Sequence, residues 1–118
     1  MSYDFAVWKR SATTKTAMLI DAYEAICAAS AHSAVDNFDT AELERALQHH
    51  YEILDIDELP FAVETGEAAG SSWLVVNCPF SAADEIRDVL VTMALDRGLM
   101  VYDPQRQVVW GNRRPAAG

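Results

Sequence analysis

Glycine and proline are scarce in this chain, five and four residues out of 118, and cysteine occurs only twice. That scarcity argues against collagen-like, low-complexity and disulfide-scaffold proteins and leaves an ordered globular chain as the expectation. No run approaches the roughly 20 apolar residues that span a bilayer. The opening MSYDF has neither the basic segment nor the apolar stretch of an export signal, so a cytoplasmic location is expected. Basic residues are also few: nine Lys and Arg stand against eighteen Asp and Glu, a net charge of −9. Phosphate-backbone affinity comes mostly from Lys and Arg, which disfavours nucleic acid as a partner and, equally, an anionic membrane surface.

Apolar residues make up 51% of the chain and charged residues 23%, enough for one buried core. Residues 1–111 read as a single α+β domain and 112–118 as a frayed tail. Tyr3 to Trp8 alternates as a first strand does. Lys15 to Ala29 is rich in helix formers, with Leu19, Tyr23, Ile26 and Ser30 on one stripe. A second helix starts clearly, because Asp39 can cap it with Glu42 three residues on and Phe38 and Leu43 flank them as a hydrophobic staple. Its apolar face continues through Leu47, His50, Tyr51 and Leu54. Pro60 prevents further helix, and Phe61 to Thr65 alternates as a second strand.

GEAAGSS reads as a turn-rich connection into WLVVNC, whose consecutive apolar residues call for cover on both faces of a third, central strand. Ser81, with Asp84 three residues later, is the expected cap of a third helix built on Ile86, Val89, Leu90 and Met93, with Gly98 as its left-handed stop. Leu99 to Tyr102 follows as a fourth strand. Asp103-Pro104-Gln105-Arg106 suits a type I turn, so Gln107 to Trp110 folds back as a short fifth strand. Setting aside the second helix and the fifth strand, the order is a ferredoxin-like split βαβ arrangement. In it the first and third helices cover one face of an antiparallel sheet, and the second strand lies toward an edge.

The charge is localised. Between Asp36 and Glu67 there are ten Asp or Glu and one basic residue, Arg45, so this segment carries −9 and the remainder is neutral. Solvation of a surface and protection of a sheet edge are the ordinary uses of such a run. The alternative is a partner surface, with Glu44, Glu52, Asp55, Asp57, Glu58, Glu64 and Glu67 as its contact residues.

Signatures of chemistry are weak. His49 and His50 point about 100 degrees apart on a helix and do not chelate one ion together, so a hydrogen-bonded structural role suits His50 better than a metal. Asp55-Ile56-Asp57-Glu58 lacks the glycine and the final glutamate of a calcium loop. Cys78, before Pro79 and the third helix, has the position of an activated thiol, but a buried strand cysteine is the commoner outcome, and buried free thiols are expected for both cysteines. Lys9 and Arg10 follow the first strand without a glycine-rich phosphate cradle. Tyr3, Phe5, Trp73 and Tyr102 fall on strands, but the motif of an RNA-stacking sheet is absent. No enzyme, cofactor or metal is expected.

Two end motifs, MSYDFAVW and GLMVYDPQ, together with WLVVNCPFSAADEI, resemble a group of small, largely uncharacterised bacterial proteins. These open on Ser-Tyr-Asp-Leu with a short apolar strand and close on a Gly-Leu-x-x-Tyr/Phe-Asp-Pro-Gln turn. Phe5 stands where the group usually has Leu. The resemblance covers the strands better than the acidic middle. It implies similarity in size and charge to immunity proteins that neutralise secreted toxins, and it assigns no functional residue. The leading expectation is therefore a non-catalytic, cytoplasmic protein-binding module that uses its acidic surface against a basic partner such as a toxin. The alternative is a small-ligand-binding or regulatory ferredoxin-like domain. Its pocket would lie between the first and third helices and the sheet, or it would self-associate as a homodimer through a sheet face bearing Trp8, Trp73 or Trp110.

Overall fold

Strand β1, Ser2–Arg10, sets the architecture. Phe5, Ala6, Val7 and Trp8 are 1%, 0%, 0% and 0% exposed, so this strand is covered on both faces. The computed structural model describes residues 2–11, 18–53 and 61–111. Among these follow α1 (Leu19–Cys27), β2 (Val35–Asp36), α2 (Thr40–Ile53), β3 (Ala62–Ala68) and β4 (Ser71–Pro79). A 3-10 turn (Phe80–Ala82) then leads into α3 (Ala83–Asp96), β5 (Met100–Asp103) and β6 (Val108–Trp110). The class is α+β: the antiparallel strands run β3-β4-β1-β5-β6 across one sheet, and β2 pairs with the Lys9–Arg10 end of β1. Among the described residues no helix is long and apolar enough to cross a membrane.

Side chains sort by strand alternation into two cores. Tyr3, Phe5 and Val7 join Leu74, Val76, Cys78 and Val101 under α2 and α3, through Leu43, Leu47, Ile86 and Leu90. Ala6 and Trp8 join Trp73, Met100 and Tyr102 on the other face, under Leu19, Ala22 and Ile26 of α1. The expectation that the first and third helices share one face is therefore corrected. The helix treated as an insertion, α2, packs beside α3, and α1 crosses to the opposite side. Ala6 and Ala22 are both fully buried and small enough to let α1 approach the sheet closely. Burial of Leu19 and Ile26 contributes about 1.5–3 kcal/mol each, which outweighs any local preference of so short a helix. Of the tryptophans expected on an open sheet face, Trp8 and Trp73 are 0% and 5% exposed in the core beneath α1, and Trp110 is half-buried against the core of α2 and α3. With α1 and α3 on opposite sides of the sheet, the pocket expected between them has no place to form.

Local signals fare unevenly. Asp39 Oδ1 accepts the Glu42 N–H at 3.1 Å, the expected cap. The Glu42 carboxylate turns instead to Arg97 at the end of α3, with Nε at 2.6 Å and Nη2 at 3.0 Å. Gly98 takes φ +71 as α3 stops. Ser81 does not cap α3: the helix enters through the 3-10 turn, its N-cap is Ala82, and no side chain bonds there. GEAAGSS is mostly strand. Ala69 and Gly70, at φ +40 and +91, make the two-residue hairpin turn whose positive φ values match the strand twist. Ser71 and Ser72 are buried because their hydroxyls hold the crossover loop: Ser71 Oγ accepts His32 N–H (3.1 Å) and donates to Val35 O (2.9 Å), and Ser72 Oγ accepts Phe38 N–H (2.8 Å). Residues 15–17, Leu54, Pro60 and the tail 112–118 lie outside the described residues.

The two ends of the chain meet. Buried Asp103, the last residue of β5, accepts the Tyr3 hydroxyl at 2.5 Å on Oδ2 and the Gln105 and Arg106 N–H groups at 3.0 and 3.2 Å on Oδ1. The Gln105 amide, with its nitrogen as donor, bridges Asp4 O (3.0 Å) and Asp103 Oδ1 (3.2 Å). Burial first, then the hydrogen bond to Asp103, raises the Tyr3 phenol above its usual value near 10. A folded pKa raised above the unfolded one stabilises the fold fully below about pH 10 and is lost as pH climbs through the raised value. Tyr3→Phe should lower unfolding free energy by about 1–3 kcal/mol in urea melts at neutral pH. It should also shallow, without abolishing, the alkaline loss of stability, since burial raises Tyr23, Tyr51 and Tyr102 as well. A neutral-pH change within a few tenths of a kcal/mol would remove this contact from the stabilising set.

Candidate functional site

Helix α1 has nine residues, and among the described residues part of its sheet face is left open. Beside it lies a half-open groove of about 700 Å³ between α1 and the β3–β4 edge. Register explains its floor. Ala62, Glu64 and Gly66 pair with Asn77, Val75 and Trp73, and Asp4 pairs with Asn77, so all of these share the α1 side. Tyr23, Ile26 and Cys27 form the helical wall. Tyr23 is held by an edge-on contact with Tyr102, ring centroids 5.3 Å apart, and Tyr102 in turn meets Trp8.

Gly66 shapes the groove. A Cβ at this position would stand 2.6–2.7 Å from the Trp73 indole, which leans across the strand into the space glycine leaves. The charged groups of the lining are Asp4 and Glu64, with no Lys, Arg or His among the lining residues. Asn77 Nδ2 donates to Asp4 Oδ1. Burial, then the Cys27 contact, pushes the Tyr23 phenol up, so it stays a neutral hydroxyl at physiological pH. Chemically this is an anionic, aromatic-walled trough suited to cations.

Of the acidic residues proposed as one contact surface, the structure describes Glu44, Glu52, Glu64 and Glu67, and it places them on two elements, α2 and β3. Asp55, Asp57 and Glu58 lie outside the described residues. Glu44 and exposed Glu52 stand on α2, where Glu44 accepts Gln48 Nε2 at 3.4 Å and Glu52 lies 4.0 Å from His49. Glu64 and Glu67 are exposed on β3, Glu64 toward the α1 side and Glu67 toward the side of α2 and α3. Asp39 and Glu42 are taken up in the cap and the Arg97 pair, which draws Glu42 below the usual carboxylate range through the hydrogen bond from Arg97. Of the proposed residues that the structure describes, Glu64 alone lines the groove. Asp4, Tyr23 and Asn77 were missed. The available signal was Gly66, an isolated glycine inside an alternating strand segment, which marks close packing of another group.

His50 is half-buried on α2 with its ring edge-on to buried Tyr51 at 5.0 Å. Among the described residues no group of three His, Cys, Asp or Glu could hold a metal ion. Cys27 is exposed, against expectation, whereas Cys78 is buried and contacts Tyr3 O. Burial, with Asp4 as a second cause, pushes the Cys78 thiol up to about 11, opposite to the shift an activated nucleophile needs. No family model matches the chain, nor does any curated protein or solved structure. Iodoacetamide at pH 7.5 should label Cys27 alone in the folded protein, with Cys78 reacting only after denaturation. Rapid labelling of Cys78 in the native state, read by peptide mass spectrometry, would contradict its burial.

Proposed function

We propose that this chain is a non-catalytic binding module for a basic protein partner, an immunity-like protein that neutralises a basic toxin in the cytoplasm. The supporting observation is a groove at the sheet edge whose charged lining is wholly anionic, in a chain whose −9 net charge resides between residues 36 and 67. Such a field speeds encounter with a cationic partner and selects it over others more than it adds raw affinity. The exposed, unpaired Cys27 suits a reducing compartment. The fold that accompanies this reading is a modified ferredoxin-like one. The path β1–α2–β3–β4–α3–β5 follows split βαβ order, with α2 in the role expected of α1 and α1 added on the second face.

A second reading is favoured by the groove volume, which lies within the few hundred to about 1,000 Å³ of small-molecule sites. A regulatory domain binding a small cationic ligand would use the same walls. Ligand-induced thermal shifts with small amines, together with a dimer by light scattering, are its expected signature; a monomer with no such shift counts against it.

For the leading reading, reversal of Asp55, Asp57 and Glu58 to Lys should weaken capture of the partner from a host lysate, with the melting temperature nearly unchanged. Reversal of Glu64 alone should reduce capture, and raised salt should weaken the native interaction. Capture indifferent to all three changes would remove the acidic surface as the binding determinant.

A further inference from the structure

The outer edge of β3 has no strand partner among the described residues, since β3 ends the sheet. Its seven pairs with β4, Ala62↔Asn77 to Ala68↔Ser71, run without a bulge. It contains no Pro or Lys, two of the residues by which sheet edges are usually blunted. Only Glu64 and Glu67 guard it. Carboxylates repel another acidic edge, including that of a second copy of this −9 chain, and attract a basic one. The opposite edge, β6, has three residues and offers too few backbone groups for comparable pairing.

The groove continues this edge inward. A strand laid outside β3 would stand about 4.8 Å away, and its alternate side chains would rise on the α1 side beside Glu64. Ala62 and Gly66 flank Glu64 on that face and are small, so a long side chain meets an open floor with the Tyr23 ring as far wall. We infer that the β3 edge is a strand-addition site for an extended, Lys- or Arg-bearing segment of a partner protein, whose basic side chains enter the groove at Glu64. This rests on the acidic binding-module reading and specifies its docking mode: backbone hydrogen bonds hold the segment and the carboxylates choose its charge.

The test uses a fluorescein-labelled ten-residue peptide alternating Lys with Val, and two versions N-methylated at either the Lys or the Val residues. In an added strand, alternate N–H groups face β3, so only one methylation phase blocks pairing. Anisotropy titrations should show binding by the parent peptide, loss of at least about tenfold with one phase and little change with the other. Glu64→Gln should weaken the parent up to about fivefold at unchanged melting temperature. Equal binding by both methylated peptides overturns strand addition while leaving an acidic docking surface in place, as does a silent parent peptide when the native partner is still captured in a charge-dependent way. A dimer that excludes the peptide assigns the edge to a second copy and overturns the proposal. Full competition by a free amine such as lysine amide makes the groove a small-ligand site, with the same consequence. Failure of the acidic reading itself is seen separately, as capture insensitive to the Asp55, Asp57 and Glu58 reversals, to the Glu64 reversal and to raised salt alike.

Discussion

Burial of β1 on both faces is the constraint from which the rest of the fold follows. A central strand with four consecutive apolar residues leaves unfavourable surface on whichever side lacks cover. Two helices on one face cannot meet that demand. Helix α1 therefore lies across Ala6 and Trp8 while α2 and α3 take Phe5 and Val7. Among the described residues α1 leaves part of its face open, and that part, beside β3 and β4, is the groove.

The second organising contact is the Tyr3–Asp103 hydrogen bond. The two end segments, MSYDFAVW and GLMVYDPQ, form a single physical unit. Tyr3 donates to the same carboxylate that organises the turn into β6, and Gln105 reaches back to β1. A buried carboxylate that accepts from Tyr3, Gln105 and Arg106 is held in place, and each donor removed leaves part of its hydrogen-bonding capacity unfilled. These motifs therefore encode closure of the sheet between its first strand and its last hairpin, which is a structural role distinct from the acidic segment between them.

That acidic segment divides by task. Asp39 begins α2, Glu42 ties α2 to Arg97 of α3, and Asp36 sits opposite Lys9 where β2 meets β1. These charges serve folding. Glu64, turned into the groove, and Glu67, turned to the other face, belong to an edge strand where each modifies what can approach. A linear charge count sees ten equivalent acids; alternation across a strand and winding round a helix separate them.

Much of the local structure was legible in the residues themselves. The cap at Asp39, the stop at Gly98, the DPQR turn and the strands around Phe5 and Leu74 follow from backbone sterics and side-chain periodicity, which act over a few positions. Ser81 misled because it lies inside the 3-10 turn Phe80–Ala82, and α3 begins after Ala82. GEAAGSS misled because composition reads as loop while Gly66 answers to Trp73 across the strand and Ser71 and Ser72 to a loop more than thirty residues earlier in the chain. WLVVNC announced cover on both faces, yet nothing in a linear pattern says which helix supplies it. What the sequence alone determined is the three main helices and five of the strands, but not β2, together with the acidic balance and where along the chain it lies. Only the tertiary structure decided which helix lies on which face, which carboxylates share a surface, and that Asp4, Tyr23 and Glu64 meet in one groove, because those depend on contacts between residues far apart in the chain.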